Sequence, residues 1–109
     1  MKDPKFVIKK SSAHFYFYLT ALNGEIILNS ELYRWRGAVE DGIASAKENA
    51  PLEERYDRKV SKDGQSYFVL KASNGEVLGT SEMYRDAARL EEAIASMKRN
   101  AIGAAVEDG

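Results

Sequence analysis

The sequence SELYR at residues 30–34 returns as SEMYR at residues 81–85, 51 positions later. Setting residues 13–50 over residues 64–101 without a gap gives 18 identities in 38 positions. Chance would give about two at ordinary residue frequencies. The chain is therefore an internal duplication. Two copies are too few for an open solenoid, so we expect each repeat to bury its apolar face against the other.

Each repeat predicts three strands followed by a helix. FYFYLTA and EIILNS flank Asn23-Gly24, and YFVLKA and EVLGTS flank Asn74-Gly75. Asn-Gly is the strongest short hairpin signal, since both central residues of a type I′ turn need positive φ. A leading strand precedes each hairpin, and a helix follows each repeated phrase. The helices show apolar residues at helical spacing, namely Trp35, Val39, Ile43 and Ala46 in the first and Leu90, Ile94, Met97 and Ala101 in the second.

The hairpin register divides the strand residues between two sheet faces, because side chains alternate across a strand. With a two-residue turn, Ala21 faces Ile26. The core face is then expected to hold Phe15, Phe17, Leu19, Ala21, Ile26, Leu28, Phe68, Leu70, Ala72 and Val77. The outer face is expected to hold Tyr16, Tyr18, Thr20, Ile27, Asn29, Tyr67, Val69, Lys71, Leu78 and Thr80.

Length and composition indicate an ordinary globular protein. The chain has 109 residues, 44% hydrophobic and 30% charged, which is typical of one domain. We expect a single domain over residues 1–109, with repeat one at about 5–50, repeat two at about 55–101 and a C-terminal strand at about 103–108. The net charge of −1 is spread without blocks and gives no long-range attraction to nucleic acid or to an anionic membrane.

Several classes of protein are excluded by what the sequence lacks. It has no cysteine, hence no disulfide, thiolate nucleophile or Cys-ligated zinc. Its apolar runs are too short for a transmembrane helix, and the N-terminal MKDPKFVIKK has no apolar core of the kind found in signal peptides. We therefore expect a cytoplasmic protein without membrane contact.

The repeated motifs resemble the YegP-like family of uncharacterised bacterial proteins, in a tandem two-repeat form. The residues that carry the resemblance in the first copy are Asn23, Gly24, Glu25, Ser30, Glu31, Tyr33, Gly42, Ile43, Ser45, Lys47 and Asn49. The helix position that usually reads Asn-Gly in this family here reads Asp41-Gly42 and Glu92-Ala93.

The resemblance implies an α+β fold in which two β3-α repeats form one antiparallel sheet with both helices on one face. It also implies a terminal strand exchanged between repeats: residues 54–60 cross to the second repeat, and residues 104–108 cross back. Relatives with one copy are expected to dimerise. The tandem chain then corresponds to a covalent dimer, and we expect it to be a monomer. The family brings no activity, cofactor or ligand residue.

No catalytic, cofactor or metal site is recognisable in the sequence. His14 is the only histidine, and we interpret it as a surface residue, because a catalytic base needs a placed partner. The NGE segments are turns, and no phosphate-binding glycine loop occurs. The repeated acids Glu25, Glu31, Glu76 and Glu82 are expected to be surface charges. We therefore expect a protein that is not an enzyme and has no cofactor.

The outer sheet face is the candidate functional surface. If both helices cover one face, the other meets water, and a contiguous aromatic and apolar patch often marks a partner surface. We expect such a patch to consist of Tyr16, Tyr18, Ile27, Tyr67, Val69, Lys71 and Leu78.

Several interpretations of this face stay open. Tyrosine and β-branched residues also make good exposed strands without any function. Our preferred functional hypothesis is an interaction or structural module with an unknown protein partner. A first alternative is a weak single-stranded nucleic-acid binder that stacks bases on Tyr16, Tyr18 and Tyr67, although the slightly acidic chain argues against it. A small ligand is a further alternative, and an enzyme with a carboxylate site at the repeat junction is the least favoured.

Overall fold

Both repeats contribute three strands and one helix to the molecule. The computed structural model describes residues 3–109; Met1 and Lys2, the first residues of the predicted domain, lie outside that range. A 3₁₀ turn at Glu53–Arg55 precedes β4. The elements in chain order are β1 (Lys5–Ser11), β2 (His14–Thr20), β3 (Ile26–Asn29), α1 (Arg36–Asn49), β4 (Tyr56–Val60), β5 (Ser66–Lys71), β6 (Val77–Thr80), α2 (Ala87–Asn100) and β7 (Ala105–Asp108).

The seven strands form one sheet in the order β4-β5-β6-β3-β2-β1-β7. Repeat one supplies β1 to β3, repeat two supplies β4 to β6, and the two halves meet antiparallel at the pair Asn29–Thr80. Both helices bury their apolar residues in a single core with the same sheet face. The predicted α+β architecture of two β3-α repeats in one sheet, with the helices on one face, is confirmed.

The C-terminal strand is exchanged between the repeats, as expected. After α2 the chain returns to repeat one, where β7 pairs with β1 from Lys5–Ala105 to Ile8–Asp108. Residue numbers increase in the same direction along both strands, so this pair is parallel. The sheet is therefore mixed rather than fully antiparallel. The chain that leaves α1 enters β4 directly and pairs with β5. β4 therefore forms one edge of the sheet. Within residues 3–109, no strand pairs with its free side in the way that β7 pairs with β1.

The repeated SELYR and SEMYR segments join the last strand of each repeat to its helix. The Phe17 amide donates a 2.8 Å hydrogen bond to Ser30 Oγ, and this hydroxyl donates to the carbonyl of Glu31. In repeat two, the Phe68 amide donates to Ser81 Oγ at 2.9 Å, and Ser81 donates to the carbonyl that follows it. Each serine satisfies backbone groups at the point where the strand ladder ends.

Both Asn-Gly turns are one residue longer than predicted. The Gly24 amide donates to the Ala21 carbonyl, and the Ala21 amide donates to the Glu25 carbonyl, so the loop has three residues. Gly24 has a φ of 85°. In the described part of the chain, Ser12 is the only non-glycine residue with positive φ, so Asn23 does not adopt the type I′ conformation. The turn is a type I turn closed by a left-handed glycine, and repeat two uses Gly75 in the same way.

A β-bulge next to each turn offsets the longer loop. Thr20 pairs with Ile26 and Leu19 pairs with Leu28, which leaves Ile27 as an extra residue on β3. The expected pairing of Leu19 with Leu28 is thus present, but the residues nearer the turn are shifted. The same bulge occurs in repeat two, where Lys71 pairs with Val77 and Leu70 pairs with Gly79.

The bulges correct the predicted faces of two candidate surface residues. Ile27 and Leu78 were expected on the outer face, yet both lie in the core, with exposures of 6% and 5%. Their neighbour Val77, predicted to be buried, is 38% exposed. The reason is local: an inserted residue reverses the alternation of side chains between the turn and the bulge.

The two helices pack as their spacing predicts, with one exception. Trp35, placed in the apolar stripe of the first helix, lies before α1 and is 63% exposed. The second helix is capped by Asp86, whose carboxylate accepts a 2.9 Å hydrogen bond from the Arg89 amide. Aromatic pairs support both halves of the core, since Phe6–Phe17 and Tyr56–Phe68 meet edge to face at 5.6 and 5.3 Å.

Candidate functional site

One row of paired residues crosses the outer face through all seven strands. Its centre is the Thr80–Asn29 pair, where the repeats meet. Tyr18 and Val69 occupy equivalent positions on either side of this centre. From β4 to β7, each residue of the row is the cross-strand partner of the next: Asp57, Val69, Thr80, Asn29, Tyr18, Val7 and Glu107. Polar groups therefore occupy the middle of the face.

Two lysine–tyrosine pairs flank this row on opposite sides. Lys9 is the cross-strand partner of Tyr16, and Lys59 is the partner of Tyr67. Directly opposite residues have Cβ atoms about 4.5–5.5 Å apart and share a face. Both tyrosines are half-buried, so each presents part of its ring beside an ammonium group. The two repeats thus carry the same pair at equivalent positions.

The expected contiguous patch is divided in the structure. Tyr16 and Tyr18 lie on β2, whereas Tyr67 and Val69 lie on β5, and β3 and β6 separate the two groups. At about 4.8 Å per strand, the separation is roughly 14 Å. With Ile27 turned into the core, Asn29 faces outward in the gap. The prediction of one continuous apolar surface is therefore wrong, although its tyrosines, Val69 and Lys71 do lie on the outer strand positions.

The charges of the outer face are largely paired. Lys71 and Lys59 lie 3.2 and 3.5 Å from the Asp57 carboxylate, and Lys5 lies 3.0 Å from that of Glu107. The hydrogen bond from Lys71 keeps the pKa of Asp57 below its ordinary value, and the Lys59 charge lowers it further. Within residues 3–109, Lys9 is in no ion pair. The face carries mixed charge rather than a continuous basic stripe.

His14 begins β2 and is exposed beside the Ser11 position, as the sequence predicts. Among the side chains of residues 3–109, no three His, Asp or Glu groups converge in an arrangement that could hold a metal ion.

Two grooves of equivalent construction lie at the junction of the repeats. The α2 groove, of about 430 Å³, lies between the turn of repeat one and α2; it is lined by Ala21, Leu22, Asn23, Glu25, Ile27, Tyr84, Arg89, Glu92, Ala93 and Ser96. The α1 groove, of about 290 Å³, lies between the turn of repeat two and α1; it is lined by Glu31, Tyr33, Ala38, Asp41, Gly42, Ser45, Ala72, Asn74, Glu76, Val77 and Leu78. Nine of the ten residues of the α2 groove have their equivalents in the α1 groove.

Neither repeat builds a groove alone, because the turn of one faces the tyrosine and helix of the other. The asparagine of each turn is held by its own backbone: Asn23 Oδ1 accepts from the Glu25 amide at 3.0 Å, and Asn74 accepts from Glu76 at the same distance. These Asx turns fix where the glutamate side chains leave the turn. The turns thus bring the side chains of Glu25 and Glu76 to the junction of the repeats.

Tyr33 lies directly against α1 because Gly42 has no side chain. A Cβ added at Gly42 would lie 2.7 Å from Tyr33 Cζ and closer still to its hydroxyl oxygen. Burial raises the pKa of Tyr33, and the negative charges of Glu31 and Glu76 raise it further. In the α2 groove the position of Gly42 is taken by Ala93, which carries a methyl group there.

The sequence indicated the residues of the grooves but not their pairing. The sequence predicts a turn at each Asn-Gly-Glu and a helix after each Ser-Glu-x-Tyr segment, and both are present in the structure. What these predictions missed is that the turn of one repeat meets the tyrosine of the other. The only available signal was the identity of the polar turn, tyrosine and helix residues between the two copies.

The comparisons with known proteins agree with the duplication. A profile of the family described as "Domain of unknown function (DUF1508)" matches residues 11–57 and again residues 61–108. The protein YegP of Escherichia coli O157:H7 is 47% identical over 100 residues, which cover 92% of this chain and 91% of that protein. A UPF0339 protein of Bordetella pertussis is 48% identical over 103 residues, covering 94% of this chain and 93% of its own length.

The chain belongs to the YegP-like family. The resemblance seen in its repeated motifs is confirmed, and the family is one of unknown function. The solution structure of E. coli YegP superposes with a TM-score of 0.91 at 44% identity, covering 100% of this chain and 95% of that one. A UPF0339 protein of Shewanella oneidensis gives a TM-score of 0.91 at 39% identity, covering 97% of this chain and 91% of that one.

In the part of the chain that the structure describes, neither helix is long and apolar enough to cross a membrane.

Proposed function

We propose that the protein is a non-enzymatic interaction module whose outer sheet face binds an acidic surface of a partner protein. The observation that carries this function is the helix-free face with a lysine–tyrosine pair on each side of its central row. Tyrosine suits such a role, because its ring supplies contact area while its hydroxyl remains available for hydrogen bonding. Lys9 has no ion partner within residues 3–109, so a carboxylate from outside can pair with it.

The central row supports a partner that is polar as well as acidic. Thr80 places a hydroxyl in the middle of the face, and Asn29 places an amide there whose Nδ2 donates to the Glu82 carboxylate and whose carbonyl oxygen faces outward. Val7 and Val69 lie on either side of them and are mostly covered by their neighbours. A partner therefore gains hydrogen bonds at the centre and ion pairs and aromatic contacts at the two sides, an arrangement typical of transient interfaces.

Nucleic acid is the second candidate for the same face, favoured by the tyrosines and their lysine neighbours. The charge pattern argues against it. Lys5, Lys59 and Lys71 are already paired with carboxylates, and the same carboxylates repel phosphate. An acidic protein is therefore the better match.

The enzymatic alternative at the repeat junction has less support. Glu31, Asp41 and Glu76 are exposed side chains at the rim of an open groove. Acid–base catalysis by paired carboxylates needs environments that separate their pKa values, chiefly through burial. We therefore take the junction as a candidate binding site rather than a reaction centre.

The proposed module acts as one domain and as a monomer in the cytoplasm. The single core shared by both repeats supports one cooperative unit. Light scattering of the purified protein tests its oligomeric state, and coincidence of unfolding curves from different probes tests the single domain. A dimer mass or two separate transitions would contradict these expectations.

The experiment first identifies the partner and then measures binding with purified components. A photo-crosslinking amino acid at position 67 traps the partner in cells, and calorimetry then measures its Kd. We expect the pair of changes Tyr18→Ser and Tyr67→Ser to weaken binding at least about 30-fold, because buried tyrosines commonly carry 2 kcal/mol or more of interface energy. Lys9→Glu with Lys59→Glu should weaken it about tenfold at low salt and less at high salt.

The matched control makes the same change in net charge at two positions away from the outer face. Lys62→Glu with Arg99→Glu alters an exposed loop and the exposed side of α2, and it should leave Kd unchanged. Equal weakening by both charge reversals would mean that the outer face is not the interface. A single-stranded oligonucleotide that shifts the amide NMR signals of β2 and β5 would overturn the protein-partner function in favour of nucleic-acid binding.

A further inference from the structure

The α1 groove differs from its equivalent in charge. Its lining contains three carboxylates, from Glu31, Asp41 and Glu76, and no basic side chain. In the α2 groove, Arg89 stands at the position of Ala38 and brings a guanidinium group to the lining. The same scaffold thus presents one groove that is purely acidic and one that supplies its own cation.

The carboxylates of the α1 groove are available to a ligand. Within residues 3–109, Glu31, Asp41 and Glu76 form no ion pair, whereas eight other acidic residues do: Glu40, Glu53, Glu54, Asp57, Asp86, Glu91, Glu107 and Asp108. All three carboxylates of this groove are therefore among the acidic groups that form no ion pair within residues 3–109.

The remaining walls suit the stem of a side chain rather than a metal ion. Ala38, Ala72 and Leu78 supply apolar surface, and Tyr33 supplies an aromatic ring. The volume of about 290 Å³ lies at the lower end of the range for ligand pockets. It fits one long side chain with a charged tip, whose methylene groups contact the apolar walls.

We propose that the α1 groove binds the side chain of an arginine in an extended peptide, with the guanidinium group held by the unpaired carboxylates beside the Tyr33 ring. Arginine is preferred to lysine because its planar guanidinium pairs with carboxylates through two hydrogen bonds and stacks on aromatic rings. The electrostatic influence of Glu31 and Glu76 on the Tyr33 phenol agrees with a negative potential beside that ring.

The α2 groove supplies an internal contrast. Arg89 is held near its rim by Asp86, with Nη1 to Oδ2 at 2.7 Å, and it repels a second cation while lowering the net negative charge. The α2 groove should therefore bind the same peptide more weakly. Copying this residue into repeat one with Ala38→Arg should close the α1 groove to arginine. Position 38 lies on the helix, where arginine is a good helix former.

The test is an amide NMR titration of the whole chain at low salt with the peptide acetyl-Gly-Arg-Gly-amide. We expect shifts centred on Tyr33, Gly42 and Asn74, and their saturation gives Kd. Glu76→Gln should weaken binding about fivefold or more, because it removes one charged acceptor without changing shape. Ala38→Arg should abolish the shifts.

Two matched controls test whether binding depends on the α1 groove and on the charge of the arginine side chain. Glu25→Gln changes the equivalent residue of the α2 groove and should leave Kd unchanged. The peptide with citrulline in place of arginine keeps the shape but loses the charge and should not bind. Equal loss from Glu25→Gln and Glu76→Gln, equal binding of the citrulline peptide, or shifts spread over every acidic surface would overturn the inference. None of these results bears on the outer face, which is a separate surface.

Discussion

The two faces of the sheet are made by the same strands, and neighbouring residues divide between them. Phe17 and Phe68 are fully buried under the helices, while Tyr16 and Tyr67, the residues just before them, lie half-buried on the other side. The aromatic rings are similar in size, so what separates the faces is the helix layer. An aromatic residue beneath the helices stabilises the fold, whereas the same ring on the outer face is available to a partner.

The strongest test of this contrast removes a ring from the inner face. We expect Phe68→Ala to lower the free energy of unfolding by about 3–5 kcal/mol, because it loses buried apolar area and leaves a cavity beside Tyr56. Urea unfolding followed by circular dichroism measures the change. Phe68→Leu, which keeps most of the volume, should cost much less. A loss below about 1 kcal/mol for the alanine variant would mean that the inner face is not packed as described.

A smaller effect is expected where the strand ladder passes into the helix joint. Ser81 is buried and its hydroxyl accepts from the Phe68 amide, whereas Ser30 is only partly buried. Ser81→Ala should cost about 1–3 kcal/mol, and Ser30→Ala less, because an amide left near water can find another partner. Thermal unfolding of the two variants measures the difference. The reverse order would contradict the assigned burial of the two joints.

A weaker contribution comes from the ion cluster that ties the 3₁₀ turn, β4 and α2 together. Hydrogen bonds from Arg58 and Lys98 lower the pKa of Glu53 to about 2. A carboxylate with a lowered pKa stabilises the fold above its ordinary pKa of 4.5, and that contribution fades as the pH falls towards 2. Wild-type protein should therefore lose its advantage in stability over Glu53→Gln across this range. An advantage that does not change between neutral pH and pH 2 would be inconsistent with the cluster.

Most of the fold follows from the sequence because the duplication and the periodicity are strong signals. The 51-residue repeat requires two equal units, and Asn-Gly between alternating strands requires hairpins. The strand order within each repeat was therefore readable from the sequence. The direction of β7 was not, because a four-residue strand after a helix carries no signal of whether its neighbour is parallel.

The faces of Ile27 and Leu78 were wrong for a specific reason. Asn-Gly fits both a two-residue type I′ turn and a three-residue turn that ends in a left-handed glycine. The longer turn shifts the pairing of β2 with β3 by one residue, and the bulge shifts it back by one. The predicted pairing of Leu19 with Leu28 is therefore present. Alternation predicts side-chain direction only where the register is continuous. The grooves were missed because they need contacts between repeats, which spacing along one chain does not show.

The measurement that tests the central claim most directly is the unfolding free energy of the double variant Tyr18→Ser and Tyr67→Ser. Both rings lie on the face without helices, so we expect a loss of at most about 2 kcal/mol in total, in line with cross-strand pair energies of 0.2–1 kcal/mol each. Binding to the partner should nevertheless weaken at least about 30-fold. A loss of about 4 kcal/mol or more, of the size expected for core aromatics, would show that these tyrosines hold the fold together and would contradict a face kept free for a partner.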